Sequence, residues 1–225
     1  MNALLPPAPD RRLGNRVLYA ACRAVIVVVC KCLWSVRIEF RGPLPGAAPF
    51  ILTPTHRSAL DIPFMGFVTR RPIRFMGKVE LWRKPMIGKF LTALGGFPVK
   101  RGAADRAALA EAIRVLELGA PLTVFPEGTR GLGGRVARIE EGVAYLAMKT
   151  GAPIVPIGVA GSEHILAKGK SLPRFTKVVI VVGEPIPVPR VRGRLDRLAM
   201  TELNERVMAE LQSVFDQANQ QLFAR

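Results

Sequence analysis

A histidine and an aspartate five positions apart are the residues best suited to chemistry in this sequence, His56 and Asp61. A neutral imidazole can take a proton from an alcohol near pH 7, and a carboxylate on its other nitrogen would fix the tautomer. Five positions turn about 500° on an α-helix, so the two side chains meet only if His56 lies in a loop and Asp61 begins a helix. The spacing is also compatible with Asp61 simply capping that helix and His56 being an ordinary polar loop residue.

A second group of candidates lies in the motif Phe-Pro-Glu-Gly-Thr-Arg at positions 125–130. Gly128 would let a ligand approach the backbone closely, and Arg130 could hold a phosphate through two parallel hydrogen bonds. Glu127 could bind a ligand hydroxyl or hold Arg130, and Thr129 belongs to the same turn. Taken alone, the motif is also compatible with an ordinary strand-to-loop turn that carries a solvated ion pair.

Three basic residues complete the candidate site. Lys100 and Arg101 follow a predicted strand and precede a predicted helix, whose N-terminus favours anions. Lys78 follows another predicted strand in a similar position. A charged surface turn would explain each of these lysines and arginines equally well on its own.

The elements that must position these residues alternate between apolar strands and amphipathic helices. The predicted strands cover 37–40, 50–53, 73–76, 97–99, 122–125, 154–159 and 177–182. The predicted helices follow Asp61 or cover 80–94 (broken or started late at Pro85), 104–118, 139–150 and 201–223. This alternation predicts an α/β fold with a mixed, largely parallel twisted sheet flanked by helices. Because ligands bind at the carboxyl ends of such strands, His56, Lys78, Lys100 and Glu127 are expected to share one site.

The composition points to a lipid surface. The chain has 225 residues, is 49% hydrophobic and carries a net charge of +16, which fits a protein that rests on anionic lipid. Nucleic-acid binding would also fit the charge, but aromatic residues make up 7% and no basic–aromatic repeat occurs. A merely solvated cationic surface is the third interpretation. Three cysteines without a C-x-x-C pair predict a reduced compartment, with neither a disulfide framework nor a structural metal.

The N-terminal stretch 17–34 is mostly apolar and lacks a small-residue cleavage site, which argues against a secretory signal. We favour an N-terminal membrane-associated helix that lies in the interface, over a short spanning helix or a buried core helix. Its headgroup-facing cations would be Arg11, Arg12, Arg16, Arg23 and Lys31. The predicted division is a membrane-associating segment 1–36, an α/β domain 37–190, and a C-terminal amphipathic helix 191–225 packed on that domain.

Four sequence blocks resemble those of the glycerolipid acyltransferases of the lysophosphatidate (1-acylglycerol-3-phosphate) acyltransferase type, over roughly residues 37–189. In family order they are His56-x4-Asp61, Gly-Phe-Pro-Val-Lys-Arg at 96–101, Phe-Pro-Glu-Gly-Thr-Arg at 125–130, and Ile-Val-Pro-Ile at 154–157. The family usually has Asn before the catalytic His, where this chain has Thr55. It often has Phe-Lys shortly after the third block, where this chain reads Ile-Glu-Glu at 139–141.

The resemblance implies an O-acyltransferase that acts by direct transfer. His56 would deprotonate the glycerol hydroxyl of 1-acylglycerol-3-phosphate, which attacks the thioester of acyl-CoA or acyl carrier protein, while Asp61 steadies the imidazolium. The implied acceptor- and phosphate-binding residues are Lys78, Lys100, Arg101, Glu127, Gly128, Thr129 and Arg130. No acyl-enzyme, cofactor or nucleic-acid partner is expected. The expected location is the cytoplasmic face of the cell membrane, and another lysophospholipid or a glycolipid remains an alternative acceptor.

Other reaction classes lack their motifs. The sequence contains no G-x-S-x-G, Walker loop, dinucleotide fingerprint or zinc-ligand cluster, so no metal is implied. His164 has no carboxylate at a useful spacing and is interpreted as a surface residue or part of a basic lid at 161–174. A non-catalytic basic protein that binds membranes or nucleic acid is the remote alternative.

Overall fold

The computed structural model describes residues 13–100, 105–165 and 174–224, and its strands form one sheet. The strand order is β1-β7-β6-β2-β5-β3-β4, and neighbouring strands are parallel except for the antiparallel pair β6–β7. The strands are Ser35–Phe40 (β1), Ile51–Pro54 (β2), Arg74–Lys78 (β3), Gly96–Val99 (β4), Leu122–Thr123 (β5), Ile154–Ala160 (β6) and Lys177–Val182 (β7). The prediction of a mixed, largely parallel sheet flanked by helices is confirmed.

The helices connect successive strands and cover both faces of the sheet. They are Leu13–Leu33 (α1), Asp61–Phe64 (α2), Pro85–Ala93 (α3), Arg106–Glu117 (α4), Gly142–Thr150 (α5), Ser162–Ile165 (α6) and Arg197–Phe223 (α7), with 3-10 turns at Met65–Phe67 and Val79–Arg83. Local signals set several ends. The Asp105 side chain caps α4 by accepting the N–H of Ala108 at 3.1 Å, and α5 ends at Gly151 in the left-handed conformation.

The alternation of side chains along the central strands builds two apolar layers. In β7, Val179 and Val181 pack under α7 in the apolar layer that also includes α4 and α5, whereas Val178, Ile180 and Val182 point to the opposite face with the inner side of α1. Strands buried on both faces explain why β6 and β7 read as almost continuous apolar runs.

Some predicted boundaries were wrong, for local reasons. The strand predicted at 122–125 ends at Thr123, and the helix predicted from 139 begins at Gly142, because the N–H of Glu140 bonds the carbonyl of Pro126 at 2.7 Å and holds that segment outside the helix. The break or late start predicted at Pro85 is confirmed, because a 3-10 turn covers Val79–Arg83 and α3 begins at Pro85. The last helix begins earlier than predicted, since Asp196 caps α7 by accepting the N–H of Leu198.

The N-terminal helix packs one side against the protein. Arg23 was expected to face lipid headgroups, but it lies on the inner side and donates to the carbonyl of Thr69 at 3.1 Å. Arg16 and Lys31 are exposed, as a headgroup contact requires, and Arg11 and Arg12 lie outside the described residues. In the described ranges, none of the helices combines the length and apolarity needed to cross a bilayer. The three-part division of the chain stays a prediction.

Candidate active site

The histidine–aspartate pair forms as the spacing requires. His56 lies in the loop after β2, Asp61 is the first residue of α2, and Nδ1 of His56 is 2.9 Å from Oδ2 of Asp61. Because a carboxylate only accepts, we assign the proton to Nδ1, which leaves a lone pair on Nε2. Among the described residues, no group hydrogen-bonds Nε2. The imidazole therefore has the tautomer and the vacant nitrogen that a general base needs.

The carboxylate of Asp61 is held by backbone groups of the loop that precedes it. It is fully buried, and its Oδ2 also accepts the backbone N–H groups of Arg57 and Ser58 at 2.7 Å each. The expectation that Asp61 is the helix cap is wrong, because Leu60 occupies that position and makes no side-chain cap bond. The carboxylate instead bends the loop back on itself, which brings the imidazole of His56 to it.

Thr55, which stands where the resembling family usually has Asn, anchors the loop to the sheet. Its hydroxyl accepts the N–H of Val159 in β6 at 2.9 Å, and its own N–H bonds the carbonyl of Ile157 at 2.9 Å. The chain immediately before His56 is therefore fixed to β6.

Glu127 bonds Arg57 and the backbone of His56, and not Arg130; holding Arg130 was one of the two roles considered for it. Its Oε1 accepts the backbone N–H of His56 at 2.9 Å, and its Oε2 accepts Nη1 of Arg57 at 2.7 Å. Gly131 completes the link by donating its N–H to the carbonyl of His56 at 2.9 Å. The motif at 125–130 thus fixes the position of the histidine loop.

A cleft of about 1150 Å³ lies next to the histidine loop: Phe125, Pro126 and Glu127 line it, whereas His56 and Asp61 are not among its lining residues. The ring of Phe125 lines this cleft and lies 4.2 Å from the ring of His56, centre to centre. Its apolar walls include Met76, Leu109, Val124, Val143 and Met208, and its charged lining residues are Lys100, Asp105, Glu127, Arg138, Glu140, Glu141 and Glu205. A cleft with both apolar and charged walls suits a ligand that has an apolar part and a polar head.

The structure brings some of the predicted phosphate residues to this cleft. Lys100, Gly128 and Thr129 line it, whereas Lys78 and Arg130 are exposed and, in the described part of the chain, do not. Lys78 lies 3.7 Å from Glu80, and the sheet register places it beside Val99, one residue before Lys100. Arg101 lies outside the described residues.

The second histidine, His164, is not part of this candidate site. His164 is exposed in α6, and its Nε2 lies 3.5 Å from Oε1 of Glu163, so a carboxylate does sit beside it, contrary to the sequence reading. The predicted lid at 161–174 lies partly outside the described residues. Within the described ranges, His, Cys, Asp and Glu side chains do not gather in a group of three that could hold a metal.

The start of α4 is capped by a carboxylate that lies beside Lys100. Burial acts to raise the pKa of Asp105, but hydrogen bonds from the backbone N–H groups of Lys100 and Ala108, with the charge of Lys100, outweigh burial and lower it. The Asp105 carboxylate accepts the N–H of Lys100 at 2.8 Å. It thereby fixes the turn that carries the Lys100 side chain along the cleft.

Sequence reasoning missed two contributors to the site. Arg57, next to His56, is almost fully buried and bridges the two motifs. The C-terminal helix α7 lines the cleft through Met200, Asn204 and Met208, spaced at one turn. The position of Arg57 inside the first block was an available signal. The contribution of α7 depends on tertiary packing, which local patterns do not reveal.

This arrangement can take a proton from a hydroxyl group and return it to a leaving group. The base is an oriented imidazole, and the cleft offers an apolar wall for a chain and a lysine for an anion. With such groups preplaced, a bimolecular transfer becomes nearly intramolecular.

Comparison with known proteins supports this chemistry. The family model described as Acyltransferase matches residues 35–160, more than half of the chain. A 1-acyl-sn-glycerol-3-phosphate acyltransferase of Bacillus subtilis (strain 168) is 28% identical over 205 residues, which cover 89% of this chain and 100% of that protein. A Chlamydomonas reinhardtii protein of the same name is 32% identical over 160 residues, 68% of this chain and 47% of the relative, so the chain spans about half of that relative.

A solved structure shares the fold. The crystal structure of the 1-acyl-sn-glycerophosphate (LPA) acyltransferase PlsC from Thermotoga maritima superposes with a TM-score of 0.69 at 28% identity, covering 91% of this chain and 84% of that one.

Proposed function

The chain belongs to the acyltransferase family, and from that premise we propose that it acylates the free hydroxyl of 1-acylglycerol-3-phosphate to give phosphatidate. The protein is an O-acyltransferase. The acceptor is supported by the names of its relatives and by Lys100 at the wall of the cleft. The observation that carries the proposal is the 2.9 Å contact between Nδ1 of His56 and Oδ2 of Asp61, with the ring of Phe125 both touching His56 and lining the cleft.

The proposed reaction is a single transfer. Nε2 of His56 takes the proton of the acceptor hydroxyl as its oxygen attacks the thioester carbonyl carbon. The carbon–sulfur bond breaks, and the imidazolium returns the proton to the departing thiolate. Asp61 stabilises the imidazolium between these two events. The scheme needs no cofactor besides the acyl-CoA or acyl carrier protein that supplies the acyl group.

The phosphate of the acceptor is proposed to bind where the basic residues follow β4. Lys100 lines the cleft next to the start of α4, and its charge favours an anion, whereas the N-terminus of α4 is already capped by Asp105. By the resemblance of their motifs, Arg101, Arg130 and Lys78 are proposed to contribute from the neighbouring segments. Fixing the phosphate in this way would hold the hydroxyl at the imidazole.

A second acceptor class is favoured by one observation. Glu140, Glu141 and Glu205 line the same cleft, so its described lining carries more acidic than basic side chains. Carboxylates favour an amine or several hydroxyl groups in the acceptor, as in another lysophospholipid or a glycolipid. This candidate keeps the reaction and changes only the head group.

An acceptor panel separates these candidates. Thiol release from acyl-CoA, and separately from acyl carrier protein, is measured with lysophosphatidate, lysophosphatidylethanolamine, a monoacyl glycolipid and monoacylglycerol. Lysophosphatidate is expected to give the highest kcat/KM, and monoacylglycerol is expected to lose at least about 100-fold, since a charge-assisted phosphate contact is lost. Equal turnover of monoacylglycerol would remove the phosphate-binding role, and preference for an amine- or sugar-bearing acceptor would select the second candidate.

We also propose that α1 and α3 rest on the cytoplasmic face of the cell membrane. Val17, Val25 and Val28 on the outer face of α1 are about 60% exposed (60%, 62% and 58%). The adjoining α3 exposes Met86 and Phe90, at 83% and 55%. Exposed Arg83, Lys84, and Lys89 flank these apolar side chains, which matches a surface of anionic lipid.

Vesicle sedimentation tests this surface. The wild type is expected to bind vesicles that contain phosphatidylglycerol and to bind phosphatidylcholine vesicles more weakly. Val25→Glu is expected to weaken binding at least fivefold. Leu198→Glu is the matched control, because Leu198 is 66% exposed but begins α7 in the layer on the other sheet face. Equal weakening by both substitutions, or by neither, would contradict the placement.

A further inference from the structure

Arg57 is buried beside the catalytic histidine and is held from several sides. Its side chain is 2% exposed, and Nη1 donates to Oε2 of Glu127 at 2.7 Å and to the carbonyl of His56 at 3.2 Å. Nη2 donates to the carbonyl of Arg135 at 3.1 Å. Burying a guanidinium is unfavourable unless it is paired, so this cation depends on the pair with Glu127. It is too deeply buried to meet the substrate.

Glu127 connects the side chain of Arg57 to the backbone of His56. One carboxylate oxygen accepts from Arg57 and the other accepts the backbone N–H of His56 at 2.9 Å. The backbone of His56 is therefore tied at its N–H by Glu127 and at its carbonyl by Gly131 and Arg57. At Gly131 a larger residue would have to displace this pair, because an added Cβ would overlap Nη1 of Arg57 and lie 2.5 Å from Oε2 of Glu127.

The C-terminal helix α7 also contacts the guanidinium of Arg57. The guanidinium carbon of Arg57 lies 4.7 Å from the centre of the Phe215 ring on α7, a cation–π distance. One turn earlier, Gln212 accepts the N–H of Val136 at 2.8 Å and donates to the carbonyl of Gly134 at 3.2 Å. The α7 helix thus holds both Arg57 and the segment after the motif, although it lies beyond the 35–160 region that matches the family model.

We propose that Arg57 is a positioning residue for the proposed acyl transfer, which orients His56 through Glu127 and takes its own position from Phe215 of α7. This inference rests on the proposed function. It assigns to Glu127 the role of linking the two motifs. It also makes α7 part of the structure that orients the imidazole of His56.

Because charged groups surround His56, this positioning role is expected to affect the pH profile of the reaction. In the described part of the chain, the charged groups bonded to His56 and its backbone are Asp61 on α2, Glu127 in the motif and Arg57 itself. Replacing Arg57 by a neutral residue leaves the Glu127 carboxylate unpaired, which favours the imidazolium. The acidic limb of the kcat/KM–pH profile is then expected to move to higher pH. Removing the Glu127 charge as well is expected to move the limb back.

The experiment uses the full chain without a histidine tag in a His164→Asn background, so that His56 is the only imidazole. The variants are Arg57→Gln, Arg57→Lys, Arg57→Gln with Glu127→Gln, and Phe215→Leu. Arg114→Gln is the matched control, because it breaks another Arg–Glu pair, with Glu111, away from the histidine. Each variant is measured for kcat, KM, the pH profile, and the nitrogen-bound proton signal of the imidazole by NMR.

Arg57→Gln is expected to lower kcat at least about 100-fold with KM changed less than threefold, to weaken the imidazole proton signal, and to move the acidic limb upward by at least about half a pH unit. Arg57→Lys is expected to recover part of kcat, because a lysine amine can pair with Glu127 but cannot also donate to the carbonyl of Arg135 as the guanidinium does. Phe215→Leu is expected to lower kcat about 3- to 10-fold. Arg114→Gln is expected to change none of these readouts.

Two results would overturn the inference. The first is Arg57→Gln with kcat within twofold of its parent and an unchanged imidazole signal. The second is a loss of kcat shared equally by Arg114→Gln, which would assign the effect to general stability. If Arg57→Gln does not fold, Arg57→Lys and Phe215→Leu decide between the same outcomes. The NMR signal needs no substrate, so failure of the proposed acceptor would appear separately, as an inactive parent with an intact signal.

Discussion

Replacing Asp61 by asparagine tests the electrostatic half of the mechanism. The carboxylate is fully buried, and its Oδ2 accepts from Nδ1 of His56 and from two backbone N–H groups. Asparagine keeps an oxygen for these donors, so the loop is expected to keep its shape. The change removes the negative charge that faces the imidazolium, and places an amide nitrogen where Oδ1 is buried without a partner among the described residues.

The size of the effect follows from the geometry. The Nδ1–Oδ2 contact of 2.9 Å puts the two charge centres roughly 4 Å apart, where opposite unit charges attract by about 4 kcal/mol at an effective dielectric constant of about 20. At about 1.36 kcal/mol for each power of ten, the expected loss is about 1000-fold. Because the imidazolium exists only during transfer, the loss is expected in kcat, with KM within about threefold.

The assay is steady-state thiol release with lysophosphatidate and acyl-CoA, supported by thermal melting. Asp196→Asn is the matched control, because Asp196 also accepts a backbone N–H but caps α7 and does not line the cleft. It is expected to keep most of kcat, with a melting temperature close to that of the wild type, because Asn caps a helix about as well as Asp. A kcat for Asp61→Asn within tenfold of wild type, or a loss carried by KM alone, would refute the reasoning.

Three further substitutions test the scaffold. Asp105→Ala is expected to cost about 1 kcal/mol in urea unfolding at pH 7. Hydrogen bonds lower the pKa of Asp105 in the folded state, so this stability difference is complete above the ordinary carboxyl pKa of 3.8. It is lost as the pH falls below 3.8 and through the lowered pKa of the folded state. A stability difference that persists at pH 2 would contradict this. Gly158→Ala would press a methyl against the backbone of Val214 in α7 and is expected to cost at least about 2 kcal/mol by melting, whereas an unchanged melting temperature would show that α7 is free to move away. Thr55→Val leaves the N–H of Val159 without its acceptor and is expected to cost about 1–3 kcal/mol in urea unfolding; no loss would mean that the bond contributes nothing.

The alternation of elements was readable from the sequence because burial on both faces leaves a continuous apolar signal. Strands β6 and β7 were predicted within one residue, since no polar alternation interrupts them. The antiparallel pairing of β6 with β7 was not predictable in detail, because it depends on which strands become neighbours. The start of α7 was misplaced because a side-chain cap at Asp196 decided it, whereas the start of α3 at Pro85 was readable from the proline.

The candidate site was predictable where one motif contains both partners. His56 and Asp61 lie in one loop, so the spacing alone limits their geometry. The partner of Glu127 was not predictable, because Arg57 and Arg130 are equally plausible by charge and only the tertiary fold brings Arg57 to 2.7 Å. The part played by Phe215 on α7 required the packing of a distant helix against the sheet.

The central claim is that one oriented imidazole performs the transfer, and the two histidines of the chain allow a direct measurement. Thiol release and phosphatidate formation are followed together, with acyl-CoA and lysophosphatidate, in wild type, His56→Ala and His164→Ala. The account predicts equal amounts of thiol and phosphatidate from wild type and His164→Ala, and at least about a 1000-fold lower rate for both products from His56→Ala. Phosphatidate formation by His56→Ala within tenfold of the wild-type rate would contradict it.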